Sequence, residues 1–226
     1  MADVQGLAPY LAPARPREPA RWWAAAGALE PHHLRVSRIE EGDAPPPVTS
    51  PCGVAAPCSL PAPFLDFLGL RGSLEVALPP DRLFRRAREF AAAATRGAKH
   101  PLRVPHESLP ALDRRRLPLF LAVLPLLRGD AAPHLLEIDA AAILRALGLP
   151  HAQLSGSSPA AVDRRARILA ALAEGALGFR VEAAQRDYAV ASFPALVAVL
   201  GCAMAARVRS RGDVRPAGSE TWVPLP

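Results

Sequence analysis

Apolar positions along this chain recur first at the spacing of strands and later at the spacing of helices. Arg21–Leu29, centred on Trp22 and Trp23, and Leu34–Ile39, which alternates apolar and polar residues, read as two strands of a hairpin or meander, preceded by a short apolar start near Asp3 and a Pro/Arg linker from Pro13 to Pro19. Gly42–Pro51 contains Pro45, Pro46 and Pro47 in succession. Consecutive prolines neither continue a ladder nor enter a helix, so a flexible surface loop is expected there. Pro79–Gly97 opens with Pro80 and Asp81 and places Leu83, Phe84, Ala87, Phe90 and Ala91 on one helical face. Leu117–Leu127 is strongly apolar, but Pro118 and Pro125 argue against a long uninterrupted helix.

In the second half the two periods interleave. His134–Asp139 is a strand candidate, and Ala140–Leu147 a helix stopped by Gly148 and Pro150. Ser158–Pro159 opens another helix, with Val162, Ala166, Leu169 and Leu172 on its apolar face and Asp163, Arg164, Arg165 and Arg167 mostly outward. Gly175 and Gly178 mark its end. Ser192 is the expected N-cap of a last helix, from Phe193 to about Arg209, with Gly212 placed to stop it. Strands followed by helices interleaved with a further strand predict a mixed α/β domain.

Length and composition narrow the reading without naming a function. With 226 residues, 50% of them hydrophobic, the chain is expected to form a single domain over 1–226 with one sizeable core. The apolar run Phe193–Ala206 is short of a membrane span and ends in Arg207, Arg209 and Arg211, so it reads as a buried helix and no membrane partner is expected. The start, MADVQGLAPY, lacks a basic segment followed by an apolar one, and the expected location is cytoplasmic. Cys52, Cys58 and Cys202 form no CxxC pair and read as free thiols. The net charge of +6 suits a polyanion such as nucleic acid. Of the 27 basic residues, however, only Lys99 is a lysine, and the wealth of Ala, Pro and Arg is what a GC-rich bacterial genome supplies without selection for a ligand.

Four acids stand as candidate chemistry: Asp3, Glu137, Asp139 and Asp187. Glu137 is the most informative, because a carboxylate inside an apolar strand needs a partner or a raised pKa. His32 and His33 are adjacent and lack a second ligand at metal spacing, so they read as turn or surface residues. Ser155–Ser158 lacks a nucleophile-elbow context and reads as a loop. The clusters Arg114–Arg116 and Arg164, Arg165 and Arg167 are candidate phosphate contacts, weighed against ordinary solvated faces.

The stretch LLEIDAAAILRALGLP, residues 135–150, resembles a motif of a family of predicted nucleases with a ribonuclease-H-like fold, known as domain of unknown function four-two-nine. In that family a strand "apolar, Glu, apolar, Tyr, Pro, Ala" opens such a helix. CGVAAPCSLP, residues 52–61, resembles its "Gly, apolar, Asp, x, Pro, x, Ser, Leu, Pro" motif, ASFPALVAVLGCAMAAR its closing helix, ETWVPLP its ending, and ADVQGLAP its first strand with Asp3 as the acid. The resemblance implies a ribonuclease-H-like fold, a mixed central sheet flanked by helices, and a site holding two Mg²⁺ or Mn²⁺ ions on about four carboxylates. At the matching positions this chain carries Ala55, Ala191 and Pro194 in place of acids, which cannot hold hard cations. His106 or Glu107 could substitute, in a segment that matches less well.

What the resemblance implies is therefore a catalytically degenerate nuclease, with Asp3 and Glu137 as vestigial site residues and no cofactor, retained to bind nucleic acid or a protein partner. The alternatives are an active nuclease with ligands relocated to Asp3, Glu137, Asp139 and Asp187, and a structural or scaffolding protein.

Overall fold

The computed structural model describes residues 3–11, 20–56, 58 and 116–211. The helix expected over Pro79–Gly97, His106, Glu107, Arg114, Arg115, the Pro13–Pro19 linker, Gly212 and the ETWVPLP ending lie outside the described residues. Six strands, β1 (Val4–Tyr10), β2 (Arg21–Glu30), β3 (His33–Gly42), β4 (Cys52–Val54), β5 (Leu135–Glu137) and β6 (Arg180–Ala183), form one sheet in the order β5-β4-β1-β2-β3-β6. β2 is antiparallel to both neighbours, while the β1–β4, β4–β5 and β3–β6 pairs are parallel. Among the described residues the α-helices are α1 (Arg116–Arg128), α2 (Ala140–Ala146), α3 (Pro159–Ala173), α4 (Arg186–Ala191) and α5 (Phe193–Arg211). The protein is thus α/β, with a mixed sheet flanked by helices.

β1 to β3 form the expected meander, and the β2–β3 connection outlines why these residues pair. Pro31 and His32 make a two-residue turn in which His32 takes φ 61°, a left-handed conformation suited to a tight hairpin. In β3 the alternation is interrupted. Ala26 pairs with Arg38 and Gly27 with Val36, leaving Ser37 as a bulged extra residue. That insertion lets Leu34, Val36 and Ile39 share one buried face despite their uneven spacing, while Arg35, Ser37 and Arg38 stay exposed.

Two cores lie on the two faces of the sheet. On one, Val4, Ala8, Trp23, Ala25, Leu34 and Val36 pack against α5 and, beyond it, Ile168, Leu169 and Leu172 of α3. On the other, Leu7, Trp22, Ala24, Cys52 and Val54 pack with Val123 of α1 and Ala131. The paired tryptophans thus serve the two cores, one each.

α5 is apolar on every side, which marks a helix enclosed by its own protein. Ala195 to Ala206 are all buried, and at Gly201 the backbone of the helix meets the sheet. The stretch Phe193–Ser210 is long and apolar enough to cross a membrane, but 72% of it is buried inside the protein. The sheet approaches this helix through glycine. Built on the backbone, a Cβ on Gly6 would lie 2.0 Å from the Ala198 carbonyl oxygen, and one on Gly53 would lie 2.2 Å from that of Gly201. The reverse contact is as tight, 2.5 Å from a Cβ on Gly201 to the Gly53 oxygen.

Three expectations need correction. α1 runs unbroken through Pro125: Pro118 sits in the first turn, where no N–H is required, and Pro125 lies on the exposed side, where water reaches the carbonyl it leaves unpaired. The proline-rich segment before β4 is held rather than loose, because the Gln5 amide donates to the Pro47 carbonyl at 3.0 Å and accepts from Thr49 N–H and the Ser50 hydroxyl at 3.3 Å. The third concerns Arg165, expected to face outward. It is fully buried on α3.

Candidate functional site

The parallel strands β4 and β5 end level with Leu7 of β1, which itself runs on to Tyr10, and open α/β sheets bind ligands outside the carboxyl ends of parallel strands. Leu7 pairs with Val54, and Val54 with Glu137, so these three residues are level across the sheet. One step further, Ala8 and Ala55 turn toward the core that α5 fills. A cleft of about 240 Å³ opens here, lined by Ala55, Ala56, Leu119, Ile138, Phe193 and Val197 together with the two acids Glu137 and Asp139. The start of α5 therefore does reach the strand that bears Glu137, as the resemblance implies.

Glu137 is 5% exposed. Its neighbours Leu136 and Ile138 belong to the α5-side core, so its own side chain turns to the other face, where Oε2 accepts the Cys58 N–H at 2.8 Å. The carboxylate thereby fastens the chain that leaves β4. Asp139 is the N-cap of α2, with Oδ1 accepting from Ala141 N–H at 2.9 Å and Ala142 N–H at 3.1 Å. Replacing Asp139 by Ala is expected to cost about 1 kcal/mol, the usual worth of such a cap, measured by urea unfolding.

Asp3 stands elsewhere. It precedes β1, four residues before Leu7, or ~13 Å along the strand from the level of Glu137. Its Oδ2 accepts from Leu29 N–H at 3.3 Å, and its Oδ1 lies 3.6 Å from Nη1 of Arg209, at the far end of α5. The pairing of Asp3 with Glu137 in one vestigial site is therefore corrected. The motif match put the acid at the end of the first strand, but the strand begins only after Asp3, and the residue one step beyond the level of Glu137, buried on the α5 side, is Ala8. The signal that could have found it is Gly6, which the close approach to α5 fixes on the same face as Ala8.

Asp187 is exposed in α4, after β6, the edge of the sheet opposite β5. Ala191 and Pro194 flank the helix start, where the Ser192 hydroxyl accepts from Ala195 N–H at 3.4 Å. Among the described residues no three of His, Cys, Asp and Glu are grouped so as to hold a metal ion. His33 lies between Glu30, at 3.8 Å, and Glu182, at 3.3 Å, linking the hairpin to the edge strand. Ser158 caps α3 by accepting from Ala161 N–H at 3.3 Å, as a loop before a helix would.

The arginine cluster on α3 is not a contiguous basic surface. Arg165 donates to the carbonyls of Leu154, Gly156, Val190 and Ala191, four acceptors drawn from the loop before α3 and the end of α4. Burial lowers its pKa, yet four carbonyl dipoles face the cation. Arg164 donates to Gln153 at 2.7 Å, and Arg167 pairs with Asp163 at 2.9 Å, one helical turn away.

Cys52, Cys58 and Cys202 are all buried free thiols. Burial pushes Cys52 well above its ordinary range and Cys202 up to about 12. Thiolate, not thiol, attacks reagents, so none of the three is expected to react with a disulfide-exchange dye in the native protein, and all three should react once it is unfolded. Linkage adds a pH effect. The Cys202 thiol ionises in the unfolded chain near its ordinary value of 9.0 but not in the folded one, so stability should fall as pH rises from about 9 toward 12 and be unaffected by this group below 9. Thermal melts across that window would check it. Compared with protein-family models, with curated proteins and with solved structures, the chain matches none.

Proposed function

We propose that the chain is a degenerate ribonuclease-H-like protein that acts by binding a protein partner and not by metal-dependent cleavage. The sheet supports the fold reading in that it is mixed and flanked by helices, as the motif resemblance implies.

The observation that carries the functional reading is the chemistry of the cleft at the ends of β4 and β5. A metal pair for phosphodiester hydrolysis needs about four oxygen ligands in one place. Around this cleft the described residues offer Ala55, Ala56, Phe193 and Val197 from the converging elements, and two carboxylates, each already accepting backbone N–H bonds. Relocated ligands fit poorly, since Asp3 and Asp187 stand at other corners of the sheet. A protein partner is favoured over nucleic acid because the cleft lining is apolar apart from two acids, which repel phosphate, and the described α3 arginines each already have a partner within the chain.

The test is incubation of the purified chain with single-stranded, double-stranded and hybrid substrates in Mg²⁺ or Mn²⁺. No cleavage is expected. Metal-dependent turnover that disappears in Glu137→Gln would overturn the inactive reading. Tight retention of nucleic acid that persists at high salt would overturn the preference for a protein partner, because purely electrostatic phosphate contacts weaken steeply with salt.

A further inference from the structure

We draw no further inference here: the strongest candidate, the cleft of about 560 Å³ between the β2–β3 turn, Leu177–Phe179 and the C-terminal end of α5, carries nothing because its buried cation, Arg207, already donates to the Leu177 carbonyl and nothing in the structure shows what covers its apolar wall.

Discussion

Gly53→Ala and Gly6→Ala are each expected to abolish folding. The added methyl group would sit 2.2 Å from the Gly201 oxygen in the first case and 2.0 Å from the Ala198 oxygen in the second, against backbone that cannot swing aside as a side-chain tip can. Relief requires α5 to move off the sheet, and α5 supplies the centre of the larger core. Such overpacking belongs to the class of substitutions that cost more than about 4 kcal/mol, a large part of the roughly 5–15 kcal/mol that holds a domain together. Gly129→Ala is the control. Its new Cβ would meet only the Pro125 oxygen, at 3.5 Å, so a melting temperature close to that of the parent is expected. Circular dichroism melts and soluble yield of the three variants decide the matter, and a cooperative, near-parental melt for Gly53→Ala would show that helix and sheet do not meet as described.

The second large effect is expected at Arg165. Replacement by Met keeps much of the buried volume but removes every donor from the carbonyls of Leu154, Gly156, Val190 and Ala191. Leaving buried acceptors unsatisfied costs about 1–3 kcal/mol each, so a total of at least about 3 kcal/mol is expected even after water reaches some of them. Arg165→Lys should recover only part of the loss, because an ammonium cannot present the planar fork that spans two pairs of carbonyls. Denaturant unfolding of Arg165→Met, Arg165→Lys and Arg167→Ala separates the roles. Arg167, on an exposed ion pair, should change stability by less than about 1 kcal/mol.

Arg165 also shows where the sequence stops being legible. Asp163, Arg164, Arg165 and Arg167 form a run that reads as one solvated face, and nothing local distinguishes the member that turns inward. Its acceptors lie 9 and 11 residues away in one direction and 25 and 26 in the other, so the burial is a property of the assembled fold. The elements fared better where period and punctuation agreed. Ser158 and Ser192 cap the helices they were expected to cap, and the β1–β3 meander follows from its alternation and its two-residue turn.

The candidate site was half legible. Ala55, Glu137 and the start of α5 do converge, because each lies in a motif long enough to fix its register. Asp3 was misplaced because a short apolar run next to a single acid fits a strand in either direction of approach, before the acid or after it. Only pairing with β4 decides, and Leu7 rather than Asp3 stands level with Val54.

Helix α5 has one more consequence, for the order of events during synthesis. Gly6 and Gly53 are made early, yet the backbone they were shaped to receive, at Ala198 and Gly201, leaves the ribosome almost 200 residues after the first strand. Until then the meander exposes Val4, Ala8, Trp23, Ala25 and Val36 along one open face. Non-local closure of this kind is slow, and uncovered strands are the surfaces on which nascent chains aggregate. A ribosome stalled before residue 193 should therefore carry a chain that is protease-sensitive and bound by holdase chaperones, and release of α5 should convert it in a single step to the resistant form.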